Sequence, residues 1–467
     1  MSIFTTLKGW ISMLLKSRAK DEFNIEPIGS AQMEAWVNEC INIYQGNPYW
    51  LDPDDHIDTV NFAKTICAEI ARLAMLGTSV KVDGSARAEW LDEQINKIYF
   101  KLQEWVEYGC AYGTTILKPN GDSVDLYTRN EFEATSSTNG QIDGVVFHNS
   151  EKQGDKWYTR LEYHRFEGDA YVITNKCYVG SSANDTKKPV DIALTPWADL
   201  MEEATIRNLD KPLFAVFRTP GANNIDIDSP FGLPVFSEAV QELQDLDIAY
   251  SRNSKEVRDS KRTVLLDSDS MVQSGGTTPR TAYEMAGARD QLGLPDYVRN
   301  VRGDGREMFY QEINPTLNTE TRLSGLNALL GQIGFKVGFS NGHFVFNEKT
   351  GMITATQVES DDRRTIQFIK SVRDQLEACL SGLLYSLNAF ADLFGYAPGG
   401  SYEAVFDFGD ITYNREEDRA RWWGYVVVGK APAWRYFVKF EGMTEKEAKA
   451  MAAEVQPKAP TLFGEEE

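Results

Sequence analysis

The chain has 467 residues and carries 48 Lys plus Arg against 69 Asp plus Glu, a formal net charge of -21. That balance argues against a surface that wraps nucleic acid, because such affinity comes from cations that neutralise phosphates. With 42% hydrophobic, 12% aromatic and 25% charged residues, the chain can bury more than one core, lacks the long apolar runs of a membrane-spanning bundle and is too aromatic for a disordered one.

Taken in chain order, the first segment places Ile3, Phe4, Leu7, Trp10, Ile11, Leu14 and Leu15 on one helical face, with Lys8, Lys16, Arg18 and Lys20 elsewhere. This amphipathic arm reads either as a membrane-surface segment or as a helix that docks on its own protein or a neighbouring subunit. It lacks the apolar run and cleavage site of a secretory signal, so a soluble, intracellular protein is expected. From about Asp54 to Leu76 the positions Val60, Ala63, Cys67, Ile70, Ala71 and Ala74 predict a buried helix stopped at Gly77. Trp90, Leu91, Ile95, Ile98, Leu102, Trp105 and Val106 predict another, running to Gly109. The sequence then turns strand-rich to about Thr219, with runs at 144–148, 157–166 and 170–178 separated by Gly, Asn and Asp turns. This half reads as α+β.

Beyond the turn-forming stretch 223–232, the stripe Phe236, Val240, Leu243, Leu246 and Tyr250 predicts a long helix to about Lys261. A compact irregular region follows from Arg262 to Glu312, with strands at 263–266 and 308–313, and a helix returns over about 318–336. After a loop containing Gly338, Gly342 and Gly351, Thr356 and Glu359 form the pattern of a capping box. The apolar steps from Ile366 to Phe394 then predict a helix from Thr356 to Phe394, roughly 58 Å long at 1.5 Å per residue. From Arg415 the tail is helical again, with a second capping box at Thr444 and Glu447 and an acidic, frayed end.

Chemistry is sparse. Five cysteines, an odd number with no C-x-x-C pair, indicate neither a disulfide framework nor a zinc ribbon and fit a reducing compartment. The four histidines, His56, His148, His164 and His343, are too scattered to specify a catalytic triad and read as structural or surface residues. Asp52, Asp54, Asp55 and His56 could ligate a metal, but a proline among acids before a helix more often makes a solvated cap. Asp226, Asp228 and Ser229 likewise suit a turn. Asp407-Phe408-Gly409 imitates the kinase magnesium motif without the catalytic loop or the glycine-rich cover that kinase chemistry needs. Gly429-Lys430 is followed by Ala431, so a P-loop is absent too. No catalytic residue, metal or cofactor is therefore expected, and the chain reads as a non-enzyme. One segment departs from the acidic background: residues 251 to 310 are nearly balanced, and Arg252, Lys255, Arg258, Lys261 and Arg262 crowd the end of the long helix. Those cations either complement the helix dipole or meet DNA or another partner.

The order of parts, a long helix, a loop-and-strand tip, a returning helix, a glycine-bearing loop and a very long helix, resembles that of tailed-bacteriophage portal proteins. Several stretches are similar to the siphophage type: Tyr158-Thr159-Arg160-Leu161-Glu162-Tyr163-His164, the strand 170–178, Pro212-Leu213-Phe214 leading into 223–232, Thr354 to Ser360, and Gly442 to Ala448. The match covers about residues 30 to 455 and consists of framework pieces. The resemblance implies an α+β portal fold in a ring, typically of twelve subunits, at one capsid vertex of the virion, assembled in the host cytoplasm. It implies an arm at 1–20, a wing at 21–230 and 356–414, stem helices at 231–261 and 314–337, a clip at 262–313, a tunnel loop at 338–355 and a crown at 415–467. It also implies double-stranded DNA passing through without sequence specificity, past His343 and Lys349 of the tunnel loop. Terminase, head-completion and adaptor proteins, and major capsid and scaffolding proteins are the implied partners. The basic cluster 252–262 belongs to stem and clip in this frame. Two other classes remain, an Asp-rich metal-dependent hydrolase and a peripheral membrane scaffold using the first 20 residues.

Overall fold

The computed structural model describes residues 18–121, 123–183, 185–260, 263–267, 298–301, 310–313, 317–345, 355–409, 415–441 and 443–454. The chain is a mixed α and β protein that divides into two units, Met1–Met75 with Val80–Phe406 and Leu76–Ser79 with Asp407–Glu467.

In the larger unit α1 (Ala31–Tyr44) starts at Ser30, whose hydroxyl accepts the amide of Met33 at 3.3 Å. Helix α2 (Phe62–Met75) begins later than the apolar pattern predicts. The reason is tertiary. Asp247 accepts the Val60 amide at 3.0 Å and the Trp50 indole at 2.9 Å, and Ser251 accepts the Asp58 amide at 3.0 Å, so the turn-containing segment 50–60 is tied to another helix before α2 begins. Strand β1 (Thr78–Gly84) leads to α3 (Ala86–Ile98), a 3-10 turn at Tyr99–Lys101, and α4 (Leu102–Tyr112). Gly109, expected as a terminator, lies inside α4; the stop is Gly113, with a φ of +77° that favours glycine.

Two antiparallel sheets follow. One is ordered β10–β2–β3, from β2 (Thr114–Asn120), β3 (Ser123–Tyr127) and β10 (Ala215–Arg218). The other runs β4 (Phe132–Thr138), β5 (Gln141–Gln153), β6 (Lys156–Glu167), β7 (Ala170–Gly180), β8 (Lys188–Val190), with β9 (Glu203–Arg207) sharing the outer edge of β7. The three strand runs expected from alternation are the centre of this second sheet. Met33, Val37 and Ile41 of α1 close one core over Ile116, Phe132, Val145, Phe147 and Phe214. Ala19 and Ile25 pack on Val146, Leu161 and Tyr178, so the chain is already anchored at Ala19.

Helix α5 (Val240–Asp259) is followed by β11 (Thr263–Asp267), and β13 (Tyr310–Ile313) precedes α6 (Thr319–Val337). β11 pairs antiparallel with β13, and on its other edge parallel with β12 (Val298–Val301), a strand the sequence pattern did not indicate. Helix α7 (Ala355–Phe394) has 40 residues, about 60 Å at 1.5 Å each. Its stripe Ile369, Val372, Leu376, Leu380, Leu383 and Leu387 is buried and packs on α2, α3, β2 and β10. Side chains of the expected capping box at Thr356 and Glu359 lie outside the described residues, as do the N-terminal stripe 3–15 and the acidic end. β14 (Tyr402–Phe408) pairs with β1, and Asp407-Phe408-Gly409 is simply its end.

The smaller unit contains α8 (Arg415–Val427), α9 (Ala433–Glu441) and α10 (Glu445–Glu454). Tyr436 and Phe440 are buried, and the Tyr436 ring lies 5.0 Å from that of Trp423. The capping box expected at α10 is formed: Thr444 donates its hydroxyl to Glu447 at 2.8 Å and accepts the Glu447 amide at 3.4 Å.

Candidate functional site

The segments singled out by the charge pattern sit on the α5–α6 pair. Glu256 of α5 pairs with Arg322 of α6, and Glu242 pairs with Lys336 at 2.6 Å. The offset is fourteen residues on each helix, so the two run antiparallel and in constant register for about 21 Å. Lys336 also donates to the Glu238 carbonyl at 2.9 Å. Since β11 and β13 pair Thr263 with Ile313, the chain stays double from helix into strand.

Arg252, Lys255 and Arg258 recur every third residue on α5 and are exposed, whereas Leu243, Leu246 and Ser251 of the same helix are buried. Arg258 donates to the Ser254 carbonyl at 3.3 Å, one turn back in its own helix. Lys261 and Arg262 lie outside the described residues. The cluster therefore consists, among the described residues, of three cations near the negative end of the α5 dipole.

The predicted loop begins at the opposite end of the pair. Gly338 ends α6 with a φ of +110°, and Phe339 turns inward, fully buried. Ser340 donates its amide to Thr365 at 2.8 Å, and the Phe339 ring meets those of Phe344 at 4.7 Å and His343 at 4.6 Å. His343 Nε2 lies 3.2 Å from Glu69, which Arg72 also grips. Residues 338–345 are thus folded back on α2 and α7. His343 is not brought to the basic cluster, and Lys349 lies outside the described residues.

Neither acidic group forms a cage. Asp52 accepts the amides of Asp54 and Asp55 at 2.9 and 3.2 Å. Asp226 accepts the Ser30 amide at 3.0 Å, while Asn223 accepts the amides of Ile225 and Asp226. Among the described residues no group of three or more His, Cys, Asp or Glu is placed to hold a metal ion. Nor is any described helix long and apolar enough to cross a membrane. The cysteines are all buried thiols, and Cys40, Cys67 and Cys110, distant in sequence, meet between α1, α2 and α4, where burial pushes Cys67 well above its ordinary pKa.

A buried cluster of titratable groups was not visible in the pattern. Glu162, on β6, pairs with Lys118 of β2, with Arg160 at 2.9 Å and with His164 Nε2 at 2.9 Å. His164 Nδ1 meets the Tyr171 hydroxyl at 2.9 Å, which accepts the Leu213 amide at 3.1 Å. Burial pushes Glu162 up, but Lys118, Arg160 and His164 outweigh it and hold the carboxyl well below the carboxylate range. Burial pulls His164 down against the pull of Glu162, which favours the neutral ring. Both carboxylate oxygens and both ring nitrogens are spent inside the network, so it joins two sheets rather than offering a free acid or base. The only sequence signal was a period-two run carrying charges at positions 160, 162 and 164, where a half-buried strand puts one face inside.

No family model matches the chain, and no curated protein matches it. Among solved structures it is similar to a chain described as "Virion of native gene transfer agent (GTA) particle", with 12% sequence identity, 89% of this chain and 95% of that chain covered, and a TM-score of 0.42.

Proposed function

We propose that the chain is the subunit of a portal ring, a virion component at one capsid vertex whose channel passes DNA during packaging and ejection. The observation that carries the reading is the doubled α5–β11/β13–α6 arm followed by the 40-residue α7, which supports the order of parts that the sequence shares with siphophage portals. In this reading the subunit closes heterologous contacts into a ring, probed first at twelve copies. The net charge of -21 suits a channel wall that a polyanion slides past without sticking, because each phosphate contact with a fixed cation would hold it. Double-stranded DNA, terminase, head-completion and adaptor proteins, and major capsid and scaffolding proteins are the proposed partners. The subunit itself is proposed to be no enzyme and to need no cofactor.

Sedimentation velocity and negative-stain imaging of the purified protein test this. Closed rings are expected; a protein monomeric at every concentration and salt, and also when coexpressed with its capsid protein, rejects it. The segment after Val345 is proposed to reach the DNA through Lys349. Rings of Lys349→Glu are expected to assemble normally and to retain DNA poorly, and filling at the wild-type level removes that assignment.

A further inference from the structure

A cavity of about 390 Å3 opens between α1, α2 and α4, and Tyr44, Tyr108, Tyr112, Asn61, Lys64 and Thr128 line it. Two features of its wall favour the same kind of guest. The first is aromatic: the Tyr112 ring lies 6.4 Å from Tyr44 and 6.3 Å from Tyr108, both edge-on, so three rings bound one space. The second is charge. Each of three lining hydroxyls has a carboxylate one hydrogen bond behind it: Tyr44 donates to Glu107 at 2.7 Å, Tyr108 to Glu104 at 2.9 Å, and Thr128 to Glu131 at 2.8 Å. Three carboxylates against the one lining cation, Lys64, leave the wall negative. Asn61 sits at a φ of +49°, which asparagine tolerates through local hydrogen bonding; here its amide donates to Thr59 at 2.9 Å.

We infer that this cavity is a binding site for a compact organic cation, a primary ammonium or a guanidinium. The aromatic rings attract positive charge, and the carboxylates behind them deepen that attraction. An anion would meet the three carboxylates. The Glu104 bond and burial push the Tyr108 hydroxyl up to about 12, so the rings stay neutral phenols at physiological pH. The same chemistry reaches such a site from two sources, a free polyamine or a basic side chain of a partner protein. The inference is independent of the ring reading.

Isothermal titration of the intact chain with spermidine, and separately with argininamide, at physiological ionic strength tests it. Binding of either is expected; tighter spermidine binding assigns a free amine, and tighter argininamide binding assigns a guanidinium presented by a partner. Lys64→Gln removes a like charge and Asn61→Asp adds a carboxylate without changing shape. Both are expected to tighten binding several-fold, a gain that misfolding cannot imitate. Tyr108→Leu, at a partly exposed position, is expected to weaken it by up to about tenfold. No heat from either probe at millimolar concentration, affinity unchanged across the three variants, or weaker binding in Lys64→Gln overturns the site.

Discussion

Two buried arginines cap helix ends that the sequence also marks with glycines, Gly77 after α2 and Gly395 after α7. Arg87, 2% exposed, donates to the carbonyls of Asn388, Ala397 and Pro398 and to the side chains of Asn388 and Asp392, all between 2.6 and 3.1 Å, at the end of α7. Arg373 of α7 donates in turn to the carbonyls of Leu73 and Ala74, the last turn of α2. Each places a fixed cation on the negative end of a helix dipole and satisfies orphan carbonyls. Arg87→Ala leaves those carbonyls buried without donors and is expected to cost about 3 kcal/mol in urea unfolding. Arg87→Lys is expected to recover little of it, since an ammonium cannot fork to five acceptors.

The Glu162–His164 network gives the same scale a pH dependence. His164 has a folded pKa below its unfolded value near 6.5. The unfolded chain therefore binds more protons, so stability is full above about pH 6.5 and falls as pH drops below it. Glu162, also lowered, contributes stability above about pH 4.3 that is lost as pH falls through its folded value. Thermal scans over that range are expected to show two descending steps, and His164→Gln to remove the upper one. Only the types of these residues were legible beforehand. That Lys118 of another sheet faces Glu162 depends on how β2 stacks on β6, which alternation within one strand does not encode.

Among elements, α4 shows a turn signal overridden by packing. Gly109 looked like a stop, yet it is the place where β10 presses closest: a Cβ built there would lie 2.4 Å from the Phe217 ring. Gly109→Ala gains about 1 kcal/mol of helix propensity and loses about 1–3 kcal/mol to overpacking. The expected result is a net loss, read as a lower urea midpoint, whereas Gly325, where an added methyl group would meet nothing within 4 Å, should gain on the same change. The helices at α6, α7 and α10 were legible because long apolar steps and a capping box act within one segment. The start of α2 was not, since it is set by Asp247, which lies 187 residues along the chain from Val60.

For the whole molecule, the described chain begins at Arg18 and is anchored from its first turn. Residues 18–23 form a helical turn, Ala19 is fully buried, and the Phe23 ring lies 5.1 Å from that of Tyr163. A truncation beginning at Arg18 is expected to keep the melting temperature of the full chain, while one beginning at Asn24 strips part of a core and is expected to lower it. If the N-terminal stripe serves assembly, the shorter truncation shifts the ring equilibrium without touching the fold, and sedimentation distinguishes the two effects.

The sequence by itself determined the mixed class, the central strands of the larger sheet, the helical stripes and the absence of any disulfide or P-loop pattern, because each depends on periodicity or spacing within a short stretch. Tertiary structure alone decided the pairing of α5 with α6, the parallel strand β12, the folding of His343 onto Glu69, the arginine caps and the tyrosine-lined cavity. These join residues from distant segments, and a one-dimensional pattern records what a residue prefers locally but not which partner the packed chain brings to it.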